Sequence, residues 1–469
     1  MRNHQPDLRQ NKHEYMTTAP IPGLVLRMAV PTIASMLVTA AYNMADTYFV
    51  SSIGGYEGTC AIAAVSVAFS VMALLQAFGF FVGQGCSNFI SRALGRKDTD
   101  KAQEMAATGL ACALILGVVL AVLGEAFVTP IASFLGEEEF LQPTVEYLRW
   151  IFAAAPLIMG SFCLNNQLRF QGNAVYAMIG VVSGAVLNVG LDPLFIHGFH
   201  MGAQGAALAT AISQTVGFFV LLAGTFRGDN LRIRLNKIRF TGENLWIITK
   251  NGLPSLLRQG FAAVSVMLLN QAAASLGKAD PTLGSAMVVA AFGLVSKIVT
   301  TAAFVVIGLG QGYQPVCGFN YGAGLYSRVR KAFWFLTAVC AGWCLLVCLG
   351  GELLAPQLIS IFKEAEPAVK TLAVEILRIQ CLTFPINCWV IPSNMSQQTM
   401  GKTLEASVLA MARQGLFLIP MVLILPRFLG LRGLELSQPA GDLLTLALAI
   451  PLQLRVLKQL KQPDRAQTA

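Results

Sequence analysis

Hydrophobic positions along this chain come in long runs, not at the alternating spacing of a half-buried strand or the one-sided spacing of a surface helix. A run of about 20 apolar residues is what an α-helix needs to cross a bilayer. Twelve runs of that kind can be read: Leu24–Val50, Thr59–Phe81, Met105–Val128, Glu146–Leu168, Ala174–Ile196, Ala203–Phe226, Asn251–Leu276, Ser285–Gln311, Ala332–Leu354, Lys370–Asn394, Glu405–Leu425 and Gly433–Leu454. The second and eighth are expected to extend past the bilayer. The pattern predicts an all-α integral membrane protein with twelve transmembrane helices. Composition agrees, since the 469 residues are 55% hydrophobic and 12% charged, against about 25% charged in a soluble domain. Met1–Ile21 is polar and has no apolar run, so no cleavable signal peptide is expected.

The net charge of +9 sits in alternate loops and is not a nucleic-acid signal. Basic residues cluster at the N-terminus (Arg2, Arg9, Lys12, Arg27), in Arg92–Lys101, in Arg227–Lys250, in Arg328–Lys331 and in the tail from Arg455. The intervening loops Gly54–Gly58 and His197–Gly202 have no Lys or Arg, and Thr129–Pro143 carries Glu137, Glu138 and Glu139 instead. The positive-inside rule then puts both termini in the cytoplasm, as an even number of spans requires. A multi-pass location in the plasma membrane is the corresponding expectation. Arg227–Lys250 reads as a solvated basic linker; binding of anionic lipid heads is the weaker reading.

The ten cysteines lie mostly inside the spans and form no CxxC pair. Cys340, Cys344 and Cys348 make an i, i+4, i+8 stripe, which small apolar packing explains better than a redox or soft-metal site. His197 and His200 share an outer loop, but two histidines without a carboxylate at ligand spacing make a weak metal site.

The two halves resemble each other. Pro31 and Pro254 stand near the starts of spans one and seven. Gly83–Gln84–Gly85 and Gly310–Gln311–Gly312 end spans two and eight. Leu148–Arg149 precedes Pro156, as Leu377–Arg378 precedes Pro385. Because six spans is an even number, the second half enters with the same orientation, giving a parallel repeat with the pathway expected between the halves. The implied division is a cytoplasmic segment 1–23, an N-lobe 24–226, the basic linker 227–250, a C-lobe 251–455 and a cytoplasmic tail 456–469. Prolines within spans (Pro156, Pro385, Pro420) free backbone carbonyls and permit bends.

Two aspartates inside the runs carry the chemistry. Asp46 lies near the end of span one and Asp192 near the end of span five. An aspartate at the bilayer centre costs roughly 2.5–3.5 kcal/mol on insertion scales and usually faces a cavity. A purely structural role, capping a broken helix or joining two helices, is the alternative. Asn188 lies one turn before Asp192 on the same face, and Tyr147 and Thr210 share that depth. The five form an oxygen-rich group suited to a hard cation. Asp46, Asn188 and Asp192 would be the ligands if the ion is Na+; without a metal ion, two close desolvated carboxylates take up a proton.

The stretches Tyr42–Asp46, Gly184–Phe195 (GAVLNVGLDPLF), Gly205–Gln214 (GAALATAISQ), Gly310–Gly322 (GQGYQPVCGFNYG) and Gln438–Pro439 with Asp442 resemble the multidrug and toxic compound extrusion (MATE) family of cation-coupled antiporters. The resemblance covers about Leu24 to Lys458. It implies twelve helices in two six-helix lobes, and export of amphipathic, often cationic compounds against inward H+ or Na+. No cofactor is implied. It also implies an N-lobe cation site at Asp46, Tyr147, Asn188, Asp192 and Thr210, all of which keep the family's residue types. A branch that uses acids in spans seven and eight is not matched, since those spans offer Arg258 and Lys297 but no acid. Lys297 and Asp442 are candidates for substrate binding or gating; Asp442 pairing with Arg413 or Lys297 is the structural alternative. A lipid-linked saccharide flippase of the same superfamily would need a basic cavity, for which only Arg258, Lys297, Arg378 and Arg413 are available. No HExxH, GxSxG or aspartyl-protease pattern supports an enzyme. Expected partners are small amphipathic molecules and the bilayer, with no nucleic acid and no need for an oligomer.

Overall fold

The computed structural model describes residues 8–136, 138–279, 284–362 and 366–464. Arg2, Glu137, Arg465 and the Arg9 side chain, which entered the charge pattern, lie outside the described residues. All regular structure among the described residues is helical. The helices are α1 (Leu8–Thr18), α2 (Ile21–Ser51), α3 (Gly55–Gly95), α4 (Thr99–Ala126), α5 (Val128–Leu135), α6 (Leu141–Phe170), α7 (Ala174–Pro193), α8 (Gly202–Thr225), α9 (Gly242–Ala279), α10 (Ser285–Gly322), α11 (Tyr326–Ser360), α12 (Pro367–Thr383), α13 (Asn387–Thr399), α14 (Thr403–Met411) and α15 (Leu418–Gln459).

Among the described residues, eleven helical segments are long and apolar enough to cross a membrane. The last of them, Thr403–Gln459, is 57 residues long and doubles back. Gly430 inside α15 has φ 58° and ψ −134°, a conformation that L side chains rarely adopt. Beyond it the Ser437 hydroxyl donates to Met421 O at 3.1 Å, and a Cβ on Gly433 would fall 2.2 Å from Leu425 O. The two arms of α15 therefore pack against each other as spans eleven and twelve. As expected, α3 (41 residues) and α10 (38 residues) far exceed the bilayer; at 1.5 Å per residue each is about 60 Å long against a core of about 30 Å. Span ten breaks where Pro385 predicts a bend, with a 3₁₀ turn at Phe384–Ile386 between α12 and α13.

The chain forms two compact units. Unit 1 holds Met1–Ala19, Arg27–Leu256 and Gly318–Ala323; unit 2 holds Pro20–Leu26, Leu257–Cys317 and Gly324–Ala469. In unit 1, α6 packs on α3, α4 and α8. Large α6 side chains (Leu148, Ile151, Phe152, Ile158) fill against small ones on α3 (Ala61, Ala64, Ala68). A Cβ on Gly117 would come within 2.5 Å of Pro156 Cα, so α4 lies tightly against the α6 proline. Such small-residue contacts are the usual means of helix packing where lipid removes the hydrophobic drive. In unit 2, α10, α11, α12 and α15 share a core around Phe292, Ile359, Ile376 and Val422. Elsewhere on α11, Cys340 and Cys344 are free and buried, in line with a packing role.

The basic linker, read as solvated, is in fact pinned, and so is the polar N-terminal segment. The Leu231 side chain is buried and its N–H donates to Gln171 Oε1 at 2.7 Å. Arg239 N–H donates to Thr108 Oγ1 at 3.0 Å, and Asn244 Nδ2 donates to Glu104 at 2.7 Å. The basic linker is thus held along unit 1. The polar N-terminal segment forms α1, which lies on the same unit with Met16 buried. There His13 Nε2 meets Gly95 O at 3.0 Å and Asn320 Nδ2 donates to Met16 O at 3.0 Å.

The tail closes on α11. Asp464 accepts from the Ser327 N–H at 2.9 Å and from its hydroxyl, capping the first turn of that helix. Partial burial pulls the Asp464 carboxyl up, but the Ser327 hydroxyl and the Ser327 and Tyr326 amides outweigh it and hold the carboxyl below its usual range. Asp464→Ala should therefore destabilise the purified protein by about 1 kcal/mol, the usual worth of a cap. A depressed carboxyl stabilises fully above its unfolded value of about 3.9 and loses that contribution as pH falls through the lower folded value. The gap in melting temperature between wild type and variant should accordingly be open at neutral pH and close in acid. Equal melting temperatures at neutral pH would mean the tail contributes no cap.

Candidate functional site

Unit 1 brings the five expected residues to one end of its bundle. Asp46 is near the end of α2, Tyr147 near the start of α6, Asn188 and Asp192 near the end of α7, and Thr210 in the first half of α8. Asp46, Tyr147, Asn188 and Asp192 are buried, at 6%, 3%, 2% and 0% exposure. Asn188 Nδ2 donates to Asp192 Oδ1 at 3.3 Å and to Thr210 Oγ1 at 3.4 Å. The Tyr147 hydroxyl meets Thr210 and lies within electrostatic reach of both aspartates. Asp46 and Asp192 act on each other, and neither forms an ion pair among the described residues.

The donor balance of this group decides its chemistry. Asp46 Oδ1, Asn188 Oδ1 and Asp192 Oδ2 are buried, and none has a hydrogen-bond donor among the described residues. A buried acceptor left alone costs about 1–3 kcal/mol, and more when charged. Three converging on two carboxylates fit a small hard cation or a proton, either of which supplies what the oxygens lack. They do not fit an anion or a soft metal.

Local sequence explains the convergence. Gly184 and Gly217 let α7 and α8 approach closely: a Cβ on Gly184 would fall 3.1 Å from Ser213 O. Pro193 then removes one backbone donor directly after Asp192. The helix continues as a π-helical turn, Leu194–Gly198, closed by Phe199 N–H on Leu194 O at 2.9 Å. That turn swings His197 towards α2. The Ser52 hydroxyl donates to Phe49 O at 2.6 Å, so its oxygen accepts from His197 Nε2–H at 3.0 Å. The ends of the two helices that carry the aspartates are thereby tied together.

A family model, MatE, matches this chain twice, over residues 31–194 and 281–424. The chain belongs to the MatE family. It is similar to the multidrug export protein MepA of Staphylococcus haemolyticus, at 27% identity over 421 residues that cover 89% of this chain and 90% of the relative. Among solved structures it is similar to an outward-facing multidrug resistance MATE transporter of the MOP superfamily, with TM-score 0.87 and 26% identity, covering 96% of this chain and 98% of the other. A MOP superfamily transporter from Pyrococcus furiosus matches to the same degree, with TM-score 0.87, 26% identity and the same coverage. MatE proteins are multi-pass membrane transporters, not enzymes, and the all-helical fold expected from the sequence is the fold of this family.

The remaining candidates of this MatE chain fall elsewhere. Lys297 is exposed on α10 and joins no ion pair among the described residues. Asp442 is buried in unit 2, where Arg413 Nε lies 3.7 Å from its Oδ1 and Gln438 Nε2 donates to it at 3.2 Å. Sequence reasoning missed Tyr42 as a site residue. It is one helical turn before Asp46 and within electrostatic reach of both aspartates; the i, i+4 spacing was the available signal. A cavity of about 670 Å³ under α1, lined by residues including Lys12, His13, Lys97, Gln171 and Asp229, shares no residue with the acidic group.

The close approach at the π turn generates a prediction. A Cβ on Gly205 would come within 2.9 Å of Phe195 C, whereas one on Gly190 meets nothing within 4 Å. Gly205→Val should cut transport at least about tenfold, since displacements of the order of an ångström cost that much at a positioned site. Gly190→Ala should stay within about twofold. Transport by both variants at matched expression is the measurement; equal activities would mean the α7–α8 fit does not matter.

Proposed function

We propose that this protein is a multidrug exporter that expels amphipathic, often cationic compounds in exchange for inward H+ or Na+, by alternating access. The carrying observation is the group of three donor-less buried oxygens on Asp46, Asn188 and Asp192. The relatives named for multidrug export support the substrate class. The coupling ion binds the acidic group, with Tyr147 and Thr210 closing it. Ion binding in one conformation weakens substrate binding, and substrate binding expels the ion, which is reciprocal linkage of typically 1–3 kcal/mol. Lys297 and Asp442 are taken as residues that respond to substrate. Residues 24–226 and 251–455 are taken as the two lobes, in a monomer of the bacterial plasma membrane with both termini cytoplasmic. The alternation of basic and non-basic loops supports that orientation.

Two variants test the site. Asp46→Asn and Asp192→Asn should each reduce coupled export at least about tenfold at normal expression. The double variant should be scarcely worse than either single, because residues of one site are not additive. For wild type in detergent, substrate affinity should fall as sodium rises or as pH drops, and in the double variant this dependence should vanish. A response to sodium at fixed pH identifies a metal-ion site; a response to pH alone identifies the carboxylates as proton carriers. Ion dependence that survives in the double variant would place coupling elsewhere and overturn the assignment.

A further inference from the structure

The cavity of about 670 Å³ under α1 lies at the opposite end of unit 1 from the acidic group. Four segments meet there: α1, the turn between α3 and α4, the turn between α6 and α7, and the linker at Asp229–Leu231. Leu231 and Phe319 give it an apolar floor, each 2% exposed. Gln171 lines it and is itself 1% exposed. The Gln171 Oε1 accepts from the Leu231 N–H, which fixes the amide. The Nε2 donor of the same amide is buried and has no acceptor among the described residues. A buried donor left in that state is costly unless something in the cavity accepts from it.

Lys97, which also lines the cavity, supplies the second observation. At the end of α3 the Asp98 N–H donates to Ala93 O at 2.9 Å and the Lys97 N–H donates to Leu94 O at 3.0 Å. This is the Schellman arrangement, which needs a left-handed residue after the cap. The turns that end α6 and α13 make the same two bonds and use Gly172 (φ 83°) and Gly401 (φ 80°) at that position. The turn between α10 and α11, the counterpart of this one in the second half, has Gly324 at φ 76°. Lys97 instead takes φ 63°, a conformation costly for a side chain with a Cβ and one that suggests a use for that side chain. Its ammonium group has no ion-pair or hydrogen-bond partner among the described residues. Lys12 of α1 lines the same cavity, with Nζ 3.5 Å from Asn230 Oδ1. Two ammonium groups and a buried amide donor call for an anionic oxygen group. Glu14 and Asp229 line the cavity too, and neither pairs with a lysine among the described residues. An occupant must therefore bring hydrogen-bond donors as well as the anion. The volume is in the range of small-molecule pockets and exceeds what a bare phosphate fills.

We propose that this cavity binds a hydroxyl-bearing phosphate ester, with the phosphate on Lys97, Lys12 and the Gln171 amide and the hydroxyls on Glu14 and Asp229. The occupant joins α1 to the α3–α4 turn, and its site is separate from the ion and substrate chemistry proposed above. A soluble nucleotide and the headgroup of phosphatidylglycerol both have this chemistry, and two measurements on the purified full chain separate them. One is calorimetric titration in detergent with AMP, adenosine and inorganic phosphate. The other is the melting temperature in nanodiscs of phosphatidylcholine with and without phosphatidylglycerol. For a soluble occupant, AMP should bind at least about tenfold more tightly than adenosine or inorganic phosphate. For a headgroup, phosphatidylglycerol should raise the melting temperature. In either case Gln171→Glu, which keeps the acceptor for Leu231 and loses the donor, should weaken AMP binding about tenfold or remove most of the lipid-induced shift. Lys97→Gly should do the same without lowering the melting temperature of the ligand-free protein, because glycine suits the left-handed turn. A Lys97 that served only the turn would lower it and leave binding unchanged. The proposal is overturned if no probe binds or shifts the protein, or if both variants keep the wild-type response. Adenosine binding as tightly as AMP, with no response to phosphatidylglycerol, overturns it too.

Discussion

A polar group inside a bilayer has no water to turn to, so it must find its partner within the protein. Most of this structure obeys that constraint. Helices satisfy the backbone, and hydroxyls bond back to carbonyls one turn earlier, as Thr32 does to Met28, Thr215 to Ala211 and Thr445 to Gly441. Buried amides bridge helices, as when Gln167 donates to Ala106 O and Asn165 to Ala177 O. Buried polar atoms without a partner among the described residues occur elsewhere too, as at Gln84 Nε2, Asn88 Oδ1 and Gln167 Oε1, but those on Asp46, Asn188 and Asp192 stand together in one group. Two of those residues are carboxylates, and the group has no cation of its own. On the proposed function, a mobile cation supplies what those oxygens lack.

How that imbalance is held in place matters as much as its presence. Without a hydrophobic drive between helices, position comes from close backbone contact and a few hydrogen bonds. Gly184, Gly205 and Gly217 supply the contact between α7 and α8. The π turn after Pro193 supplies the direction, and His197 on Ser52 ties α7 to α2. Because Ser52 already donates to Phe49, that tie needs only an Nε2–H, which both the neutral tautomer and the imidazolium provide.

The spans were legible because a bilayer imposes a length that composition cannot disguise. Asp46 and Asp192 were legible because isolated charges in such runs are expensive. Asn188 followed from its i−4 position. The π turns at Leu194–Gly198 and Ala412–Leu416 were not legible, since a one-residue shift in helix register depends on acceptors that tertiary packing provides, such as Gln414 O for Ser265. The burial of α1 and of Leu231 was hidden for a related reason. Their neighbourhoods are polar and charged, as a solvated loop is, and only the partners Gly95, Asn320 and Gln171 distinguish them. The Arg413–Asp442 pair was one of two pairings the sequence allowed.

A single ion site has an energetic consequence for the proposed exchange. One monovalent ion moving in against one monovalent cation moving out transfers no net charge, so only the ion's concentration gradient drives it. A zwitterion leaving against the same ion carries no net charge itself. One positive charge then moves inward, and the membrane potential adds about 2.3 kcal/mol per 100 mV. On the proposed function, the acidic group stays with the coupling ion in both cases. One ion site then serves compounds of different net charge, and the compound without net charge has the stronger drive.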